Sequence, residues 1–397
     1  MAKKRQKARR RAPLLPAAVE DTAQLAEQRL PEPEVTDADL QTLRRTIDVL
    51  DAQIVRLINQ RAACARRIGV IKARAGIKPY TPSREIEVYR RVAARNAGPL
   101  PNEAFRAIYR EIMSATIALE RPTRVAYFGQ PGTFAHLAAH TKFGSSVEYI
   151  PAHDIRDVFL AVSRGRADYG VVPIENSTEG GVNQSIDMFG DTRLKIASEI
   201  YLPIHHHLLS KSPVGSVRVV YSHPQPFAQC RNWLIGNLRH AERREVGSTA
   251  AAAELAAKDP RAAAIAGSLA ADIYKVPIVA SHIEDSPDNI TRFIVIAERM
   301  SERTGKDKTS LLLSARDEPG ALLHLLRPFQ SHGINLTRIE SRPSKRRAWE
   351  YNFFIDLEGH VEDSQVQAAL RDLDGQVKHM EVLGSYPAAD RMPMRRH

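Results

Sequence analysis

Cysteine is nearly missing from this chain: Cys64 and Cys230 are the two in 397 residues, and they stand far apart. They supply neither a disulfide framework nor a thiolate metal cluster, and the scarcity suits a reducing, cytoplasmic setting. No run of about twenty apolar residues occurs, so no membrane partner is expected. The basic start, MAKKRQKARRRAPLLPAAVE, lacks the apolar stretch of a secretory signal. Acidic residues are missing from the first eleven positions. There Lys3, Lys4, Arg5, Lys7, Arg9, Arg10 and Arg11 supply seven of the formal +11, which leaves +4 for the rest. So uneven a charge argues for a solvated basic leader over residues 1–35 and against a specific nucleic-acid partner. Glycine and proline, finally, are missing from Thr36 to Ile68.

That last absence leaves room for one long helix, about Thr36 to Ala75. Leu40, Leu43, Ile47, Leu50, Ile54 and Leu57 alternate spacings of three and four, which makes one sustained apolar stripe. Thr81 and Pro82 then mark the start of a second helix, and Pro99 and Pro101 precede a third over about Asn102 to Glu120. Two short helices cannot cover so long a stripe, so a homodimer or larger homo-oligomer with its long helices packed together is expected.

After Arg121-Pro122 the pattern changes to short β-rich runs (Val125–Phe128, Tyr169–Pro173, Val217–Ser222, Ala262–Ala266, Phe293–Ala297) between helical stretches. These include Ile155–Ser163 and Thr249–Lys258, and such alternation predicts an α/β unit with mostly parallel sheets. From about Lys308 the order becomes βαββαβ, the ferredoxin-like arrangement. The expected fold is therefore multidomain: an all-α unit over 36–121, an α/β unit of two subdomains over 123–300, an α+β unit over 308–387, and a tail over 388–397.

Arg61 and Lys72 lie eleven residues apart, about three helical turns, so both project in nearly one direction. Thr116 shares a face with Glu120. Lysine and arginine on a helix are usually just a solvated face. Read jointly, however, Arg44, Asp51, Arg61, Lys72, Arg84-Glu85 and Glu120 are similar in type and separation to the all-helical class of chorismate mutase. That resemblance implies an intertwined helical dimer without cofactor. Chorismate is a dicarboxylate that rearranges by a pericyclic shift, so catalysis consists of holding a compact conformer and stabilising the breaking ether oxygen. The resemblance gives Arg44 of the other subunit and Arg61 to carboxylates, Lys72 to a carboxylate and the ether oxygen, and Glu85 to the ring hydroxyl. It also places Thr81, Arg84 and Thr116 at the substrate. Glu120 would donate to the ether oxygen in its protonated form, which burial favours.

The α/β stretch resembles prephenate dehydratase through four ordered motifs: Ala126–Phe134, Val172–Gly180, Tyr221–Gln225 and Thr291-Arg292-Phe293. Gln130 departs from the usual residue before Gly-Thr-Phe. The resemblance implies an active site in the cleft between two subdomains. Thr291 would donate to the departing hydroxyl, and Glu175, Asn176, Ser222, Gln229 and Arg292 would bind substrate. His205-His206-His207 invites a metal reading, but adjacent strand residues point to opposite faces, so no metal is expected. The last unit resembles an ACT domain, through Gly320-Ala321-Leu322-Leu323 and Glu340-Ser341-Arg342-Pro343, and implies phenylalanine as effector. The expected small-molecule partners are thus chorismate, prephenate and phenylalanine. A non-catalytic phenylalanine sensor and an arogenate-preferring dehydratase are the alternatives.

Overall fold

The computed structural model describes residues 37–75, 80–119, 121–315, 318–343 and 351–389. The basic leader, Glu120 and most of the tail lie outside them. Three helices come first: α1 (Asp37–Arg74), α2 (Pro82–Arg95) and α3 (Asn102–Ala118). Asp37 and Asp39 in the first turn of α1 and Lys72 and Arg74 in its last complement the helix dipole. Every side chain described from Asp39 to Gln60 is exposed, the apolar stripe included. Among the described residues of one chain, that stripe is left uncovered.

Helix α3 seats the helical unit on the α/β unit. Ser146 N–H donates to Ser114 Oγ (3.1 Å), and Ser145 donates to Glu111 through both N–H (2.9 Å) and O–H (2.6 Å). Gly144 makes this approach possible. Its φ is +75°, and a Cβ there would lie 2.8 Å from Ser114 Cβ.

The α/β unit comprises two subdomains. In the first, β1 (Arg124–Phe128), α4 (Phe134–Phe143), β2 (Glu148–Ala152), α5 (Ile155–Ser163), β3 (Tyr169–Asn176), β4 (Gly180–Gly181), α6 (Asn183–Met188) and β5 (Lys195–Pro203) occur in order. The chain then enters the second subdomain, which holds β6 (His207–Ser210), β7 (Val219–Ser222), α7 (Pro224–Gln229), α8 (Arg231–Asn237) and β8 (Glu242–Glu245). It continues through α9 (Thr249–Lys258), β9 (Ala262–Ala266), α10 (Ser268–Tyr274) and β10 (Ile278–Ala280), and β11 (Ile290–Ala297) returns to the first sheet. The sheets run β2-β1-β3-β11-β5 and β10-β6-β9-β7-β8.

The expected mostly parallel character holds for β1 with β2 and β3, and for β7 with β8 and β9. Elsewhere it is corrected: β11 is antiparallel to both β3 and β5, and β6 to β9 and β10. The cause is the excursion itself. A chain that leaves a sheet along β5 and comes back along β11 must run them in opposite senses, and Ile204 N–H donates to Asn289 O (2.8 Å) where they cross between subdomains.

The last unit holds β12 (Asp307–Ser314), α11 (Ala321–Ser331), β13 (Leu336–Pro343), β14 (Tyr351–Glu358), α12 (Ser364–Leu373) and β15 (His379–Pro387). Its antiparallel sheet, β13-β14-β12-β15, has the expected βαββαβ order. One face packs on α11 and α12 through Leu311, Leu325, Phe329, Ile355 and Leu373. The other joins the core of the first α/β subdomain through Leu312, Phe354, Leu383 and Tyr386.

Candidate active sites

The helical unit encloses a cavity of about 500 Å³ against the α/β unit. Its walls include Arg61 and Lys72 from α1, Thr81, Arg84 and Glu85 at the start of α2, and Thr116 from α3. The three-turn spacing of Arg61 and Lys72 puts both on one wall, as their periodicity requires. Arg61 donates to Thr116 Oγ1 (3.5 Å), and that hydroxyl donates to Ile112 O (2.5 Å). Thr81 is the N-cap residue of α2, but its side chain caps nothing. Its Oγ1 accepts from Lys72 Nζ instead (3.2 Å). Pro82 at the first helical position lacks an N–H, which no intrahelical bond would use there.

Glu85 is buried, 6 % exposed, and its carboxylate is surrounded by donors. Tyr80 O–H (2.6 Å) and Lys142 Nζ (2.7 Å) reach Oε2, and Tyr89 O–H (3.0 Å) reaches Oε1. Burial, with Glu85 beside it, holds the Tyr80 phenol well above its ordinary range, so it remains a donor. The remaining lone pairs of the carboxylate suit a hydroxyl donor from a ligand. Basic residues outnumber acidic ones on the wall: Arg61, Lys72, Arg84, Arg110 and Lys142 against Glu85 and Glu302. The cavity wall therefore carries an excess of positive charge.

A second polar group forms where β3 and β11 pair in register, Thr291 opposite Asn176. Asn176 Oδ1 accepts from Thr178 N–H (3.0 Å) and O–H (2.6 Å) and from Glu179 N–H (3.2 Å). These donors turn its Nδ2 toward Thr291 Oγ1 and Asn289 Oδ1, both at 2.8 Å. Thr291 therefore accepts from Asn176 and keeps its own proton for another acceptor. Ser222, at the end of β7, and Gln229, at the end of α7, lie in the other subdomain. Ser222 O–H donates to Ile265 O (3.1 Å), and Gln229 Oε1 meets His206 Nε2 (2.7 Å). Burial keeps the His206 imidazole below its ordinary range, so the neutral ring donates through Nε2 and orients the amide.

The loop before α4 links the two halves. Phe134 packs edge-on against His206 (5.5 Å between centroids), Tyr274 O–H donates to Pro131 O (3.0 Å), and Ser248 O–H donates to Gln130 Oε1 (3.2 Å). The unusual Gln130 thus has a structural partner.

Known proteins similar to this chain cover all three units. A family model for chorismate mutase type II matches residues 43–121, one for prephenate dehydratase 125–301, and one for the ACT domain 309–375. A bifunctional chorismate mutase/prephenate dehydratase from Aquifex aeolicus is 50% identical over 356 residues, which is 88% of this chain and 98% of the relative. The chain belongs to the bifunctional chorismate mutase/prephenate dehydratase family. Among solved structures, prephenate dehydratase from Arthrobacter aurescens in complex with L-Phe superposes with a TM-score of 0.63 at 36% identity, over 68% of this chain and 92% of that one. GqqA, a quorum-quenching acylase, superposes with a TM-score of 0.62 at 28% identity, over 69% of this chain and all of its own.

In this bifunctional enzyme, the cavity of the helical unit gathers Arg61, Lys72, Thr81, Arg84, Glu85 and Thr116. Arg44, also on α1, is exposed and does not line it, as the angle of about 100° around the helix from Arg61 requires. Glu120 lies outside the described residues. In the dehydratase, Asn176 and Thr291 meet, while Ser222 and Gln229 stand across the subdomain boundary. Arg292 and Glu175 pair one position along, on the other face of the sheet. The side chain after Thr291 points to the opposite face of β11. There Arg292 is buried (3 % exposed), paired with Glu199 (2.9 Å) and Asp356, and donates to Tyr386 O–H (2.9 Å). Burial opposes its charge, but Asp356, Tyr386 and Glu199 outweigh that and raise its pKa further above its ordinary value. Glu175 faces Arg292 (3.8 Å) and Arg338 (3.6 Å). Both residues join the dehydratase to the ACT domain instead of facing Asn176 and Thr291.

The two motifs expected to bind the effector sit on separate parts of the ACT domain. Gly320 is the N-cap of α11 at φ +84°, and Ala321, Leu322 and Leu323 form the first turn, with Leu322 and Leu323 exposed. Glu340, Ser341, Arg342 and Pro343 end the edge strand β13. Glu340 bonds Arg338 and lies against Gly181 so closely that a Cβ there would overlap its carboxylate. Arg342 reaches Asp187 (3.5 Å). The three adjacent histidines take separate partners, Glu284, Gln229 and the His282 N–H. His205 nevertheless meets His282 and Glu284 in a cluster whose nitrogen and carboxylate atoms lie within 4.8 Å of one another.

Sequence reasoning missed Lys142, Tyr80 and His206. Lys142 and Tyr80 meet residues across the boundary between the helical and α/β units, and His206 meets Gln229 across 23 positions of chain; no local pattern marks such contacts.

Proposed function

We propose that the helical cavity is the chorismate site. Arg61 holds a carboxylate, Lys72 reaches a carboxylate and the ether oxygen, and Glu85 takes the ring hydroxyl. The observation carrying this reading is that six residues chosen by resemblance surround one cation-rich cavity. Rearrangement breaks the ether C–O bond and forms a C–C bond with no net proton transfer. The site therefore needs to hold the folded conformer and meet negative charge growing on oxygen.

Prephenate is then dehydrated at Asn176, Thr291, Ser222 and Gln229. The carboxylate leaves as carbon dioxide, its bonding pair enters the ring, and the ring hydroxyl departs with a proton as water. Thr291 is the proposed donor, and the proton geometry at Asn176 supports that role. Phenylalanine acts as a feedback effector at the ACT motifs.

Further parts of the reading follow from packing. The exposed stripe of α1 is covered in a homodimer, where Arg44 of the other subunit completes the cavity; a fully buried Leu or Ile contributes about 1.5–3 kcal/mol. Boundaries near 36–121, 123–300 and 308–387 and a cytoplasmic setting belong to the same reading. The described helices are consistent with it, none being long and apolar enough to cross a membrane.

The test is conversion of chorismate by the purified chain, following prephenate and phenylpyruvate with and without phenylalanine. Both products are expected, with phenylpyruvate suppressed by phenylalanine. Phenylalanine binding with neither product would overturn the catalytic assignment in favour of a sensor.

A further inference from the structure

The mutase cavity is not built by the mutase helices alone. Lys142, near the end of α4 in the dehydratase domain, extends its ammonium to Glu85 Oε2 (2.7 Å) with its side chain 11 % exposed. Phe143 and Val147 of the same domain also line the cavity. The loop carrying Tyr80 is held from the same side. Tyr80 is part of a dehydratase core cluster, its ring stands 5.1 Å from Phe143 and 5.3 Å from Tyr169, and its carbonyl accepts from Tyr169 O–H (3.0 Å). Two of the three side-chain donors on Glu85 therefore depend on the dehydratase domain.

We propose that Lys142 is a positioning residue for the mutase reaction, by which the dehydratase domain completes the mutase site. This rests on the reading of the cavity as the chorismate site. A buried carboxylate is costly unless paired and hydrogen-bonded. Lys142 neutralises Glu85, holds one of its oxygens in place, and leaves lone pairs of the carboxylate for the substrate's ring hydroxyl. It also adds a positive charge to a wall that receives a dicarboxylate. The neighbouring contacts of Gly144, Ser145 and Ser146 with α3 fix the turn that follows Lys142, so the ammonium is delivered by a rigid seat and not by a loose surface chain.

The full chain supplies its own control, since dehydration of added prephenate reports on the fold of the domain that carries Lys142. Lys142→Met should lower mutase kcat/KM roughly ten- to a hundredfold, the value of a charge-assisted hydrogen bond, with dehydration of prephenate unchanged. Lys142→Arg should recover most of the loss. On a Glu85→Gln background, Lys142→Met should cost less than about threefold more, because its partner is already altered. Unchanged mutase activity in Lys142→Met overturns the proposal. So does a parallel fall of both activities in Lys142→Met and Lys142→Gln, since Lys142 would then serve folding alone. Arg61→Ala tests the underlying reading separately: if it keeps full mutase activity, the cavity is not the chorismate site, whatever Lys142 does.

Discussion

Thr291 shows how much a single side chain owes to its neighbour. Its hydroxyl is committed as an acceptor to Asn176, so its proton is available to a leaving hydroxyl. Thr291→Val keeps the shape and removes that proton. Dehydration should fall by roughly 10²–10⁴-fold, the usual worth of general acid catalysis, while conversion of chorismate to prephenate continues. Steady-state assays of the two steps on one preparation check this, and near-normal dehydration would remove Thr291 from the mechanism. His136 offers a prediction about pH. It stacks on Tyr127 (4.4 Å), its Nδ1 accepts from Gly132 N–H (3.1 Å), and burial, with His140 nearby, lowers its pKa to about 4. The native state thus favours the neutral ring. That stabilisation is complete above the ordinary histidine value of about 6.5 and is lost as pH falls toward 4. The melting temperature of the dehydratase transition should decline over that window, and less steeply in His136→Gln. An equal slope in the variant would show that His136 does not drive the decline.

At the scale of elements, α1 stands apart. It has a strong apolar stripe and acidic and basic ends suited to its dipole, yet among the described residues of one chain its first two-thirds stay exposed. Isolated helices draw little stability from propensity. Ile47 is 55 % and Ile54 52 % exposed, and a charge at either would face the partner helix of a dimer. Ile47→Glu with Ile54→Glu should shift the chain to a smaller species in sedimentation and lower mutase activity at least tenfold. Prephenate dehydration should change far less. Retention of the oligomer in that variant would mean that other surfaces hold the subunits together. Helix α2 illustrates a smaller lesson. Its start is legible from Thr81 and Pro82, but the threonine hydroxyl accepts from Lys72 instead of capping the helix end, because tertiary packing brings that lysine within reach.

At the scale of the whole molecule, the dehydratase sheet is where the other two domains meet. Arg292, one residue from Thr291, is buried against Glu199, Asp356 and Tyr386, and Lys308 Nζ adds a further bond to Glu199 (2.9 Å). Glu340 of β13, part of the proposed effector motif, lies on Gly181, beside the segment that carries Glu175 and Asn176. The end of β13 and the Asn176–Thr291 pair are therefore separated by a few directly bonded residues. Glu340→Ala should keep dehydration and reduce its inhibition by phenylalanine at least tenfold; unaltered inhibition would exclude this strand from the coupling. Arg292→Met leaves buried carboxylates without their partner and should cost about 3–5 kcal/mol, seen as a lower melting temperature of the dehydratase–ACT unit.

The sequence by itself determined what depends on local spacing and residue type. Helical periodicity marked α1 and put Arg61 and Lys72 on one side of it, the alternation after Arg121 marked the α/β unit, and the ordered motifs singled out Asn176 and Thr291. Tertiary structure alone decided what depends on which surfaces meet. It turned Arg292 and Glu175 to the ACT interface, set β11 antiparallel between β3 and β5, gave Gln229 to His206, and brought Lys142 to Glu85 across 57 positions of chain. The physical reason is range. Dihedral preference and apolar period act over a few residues, whereas a buried charge finds its partner wherever folding places one, and sequence separation carries no trace of that distance.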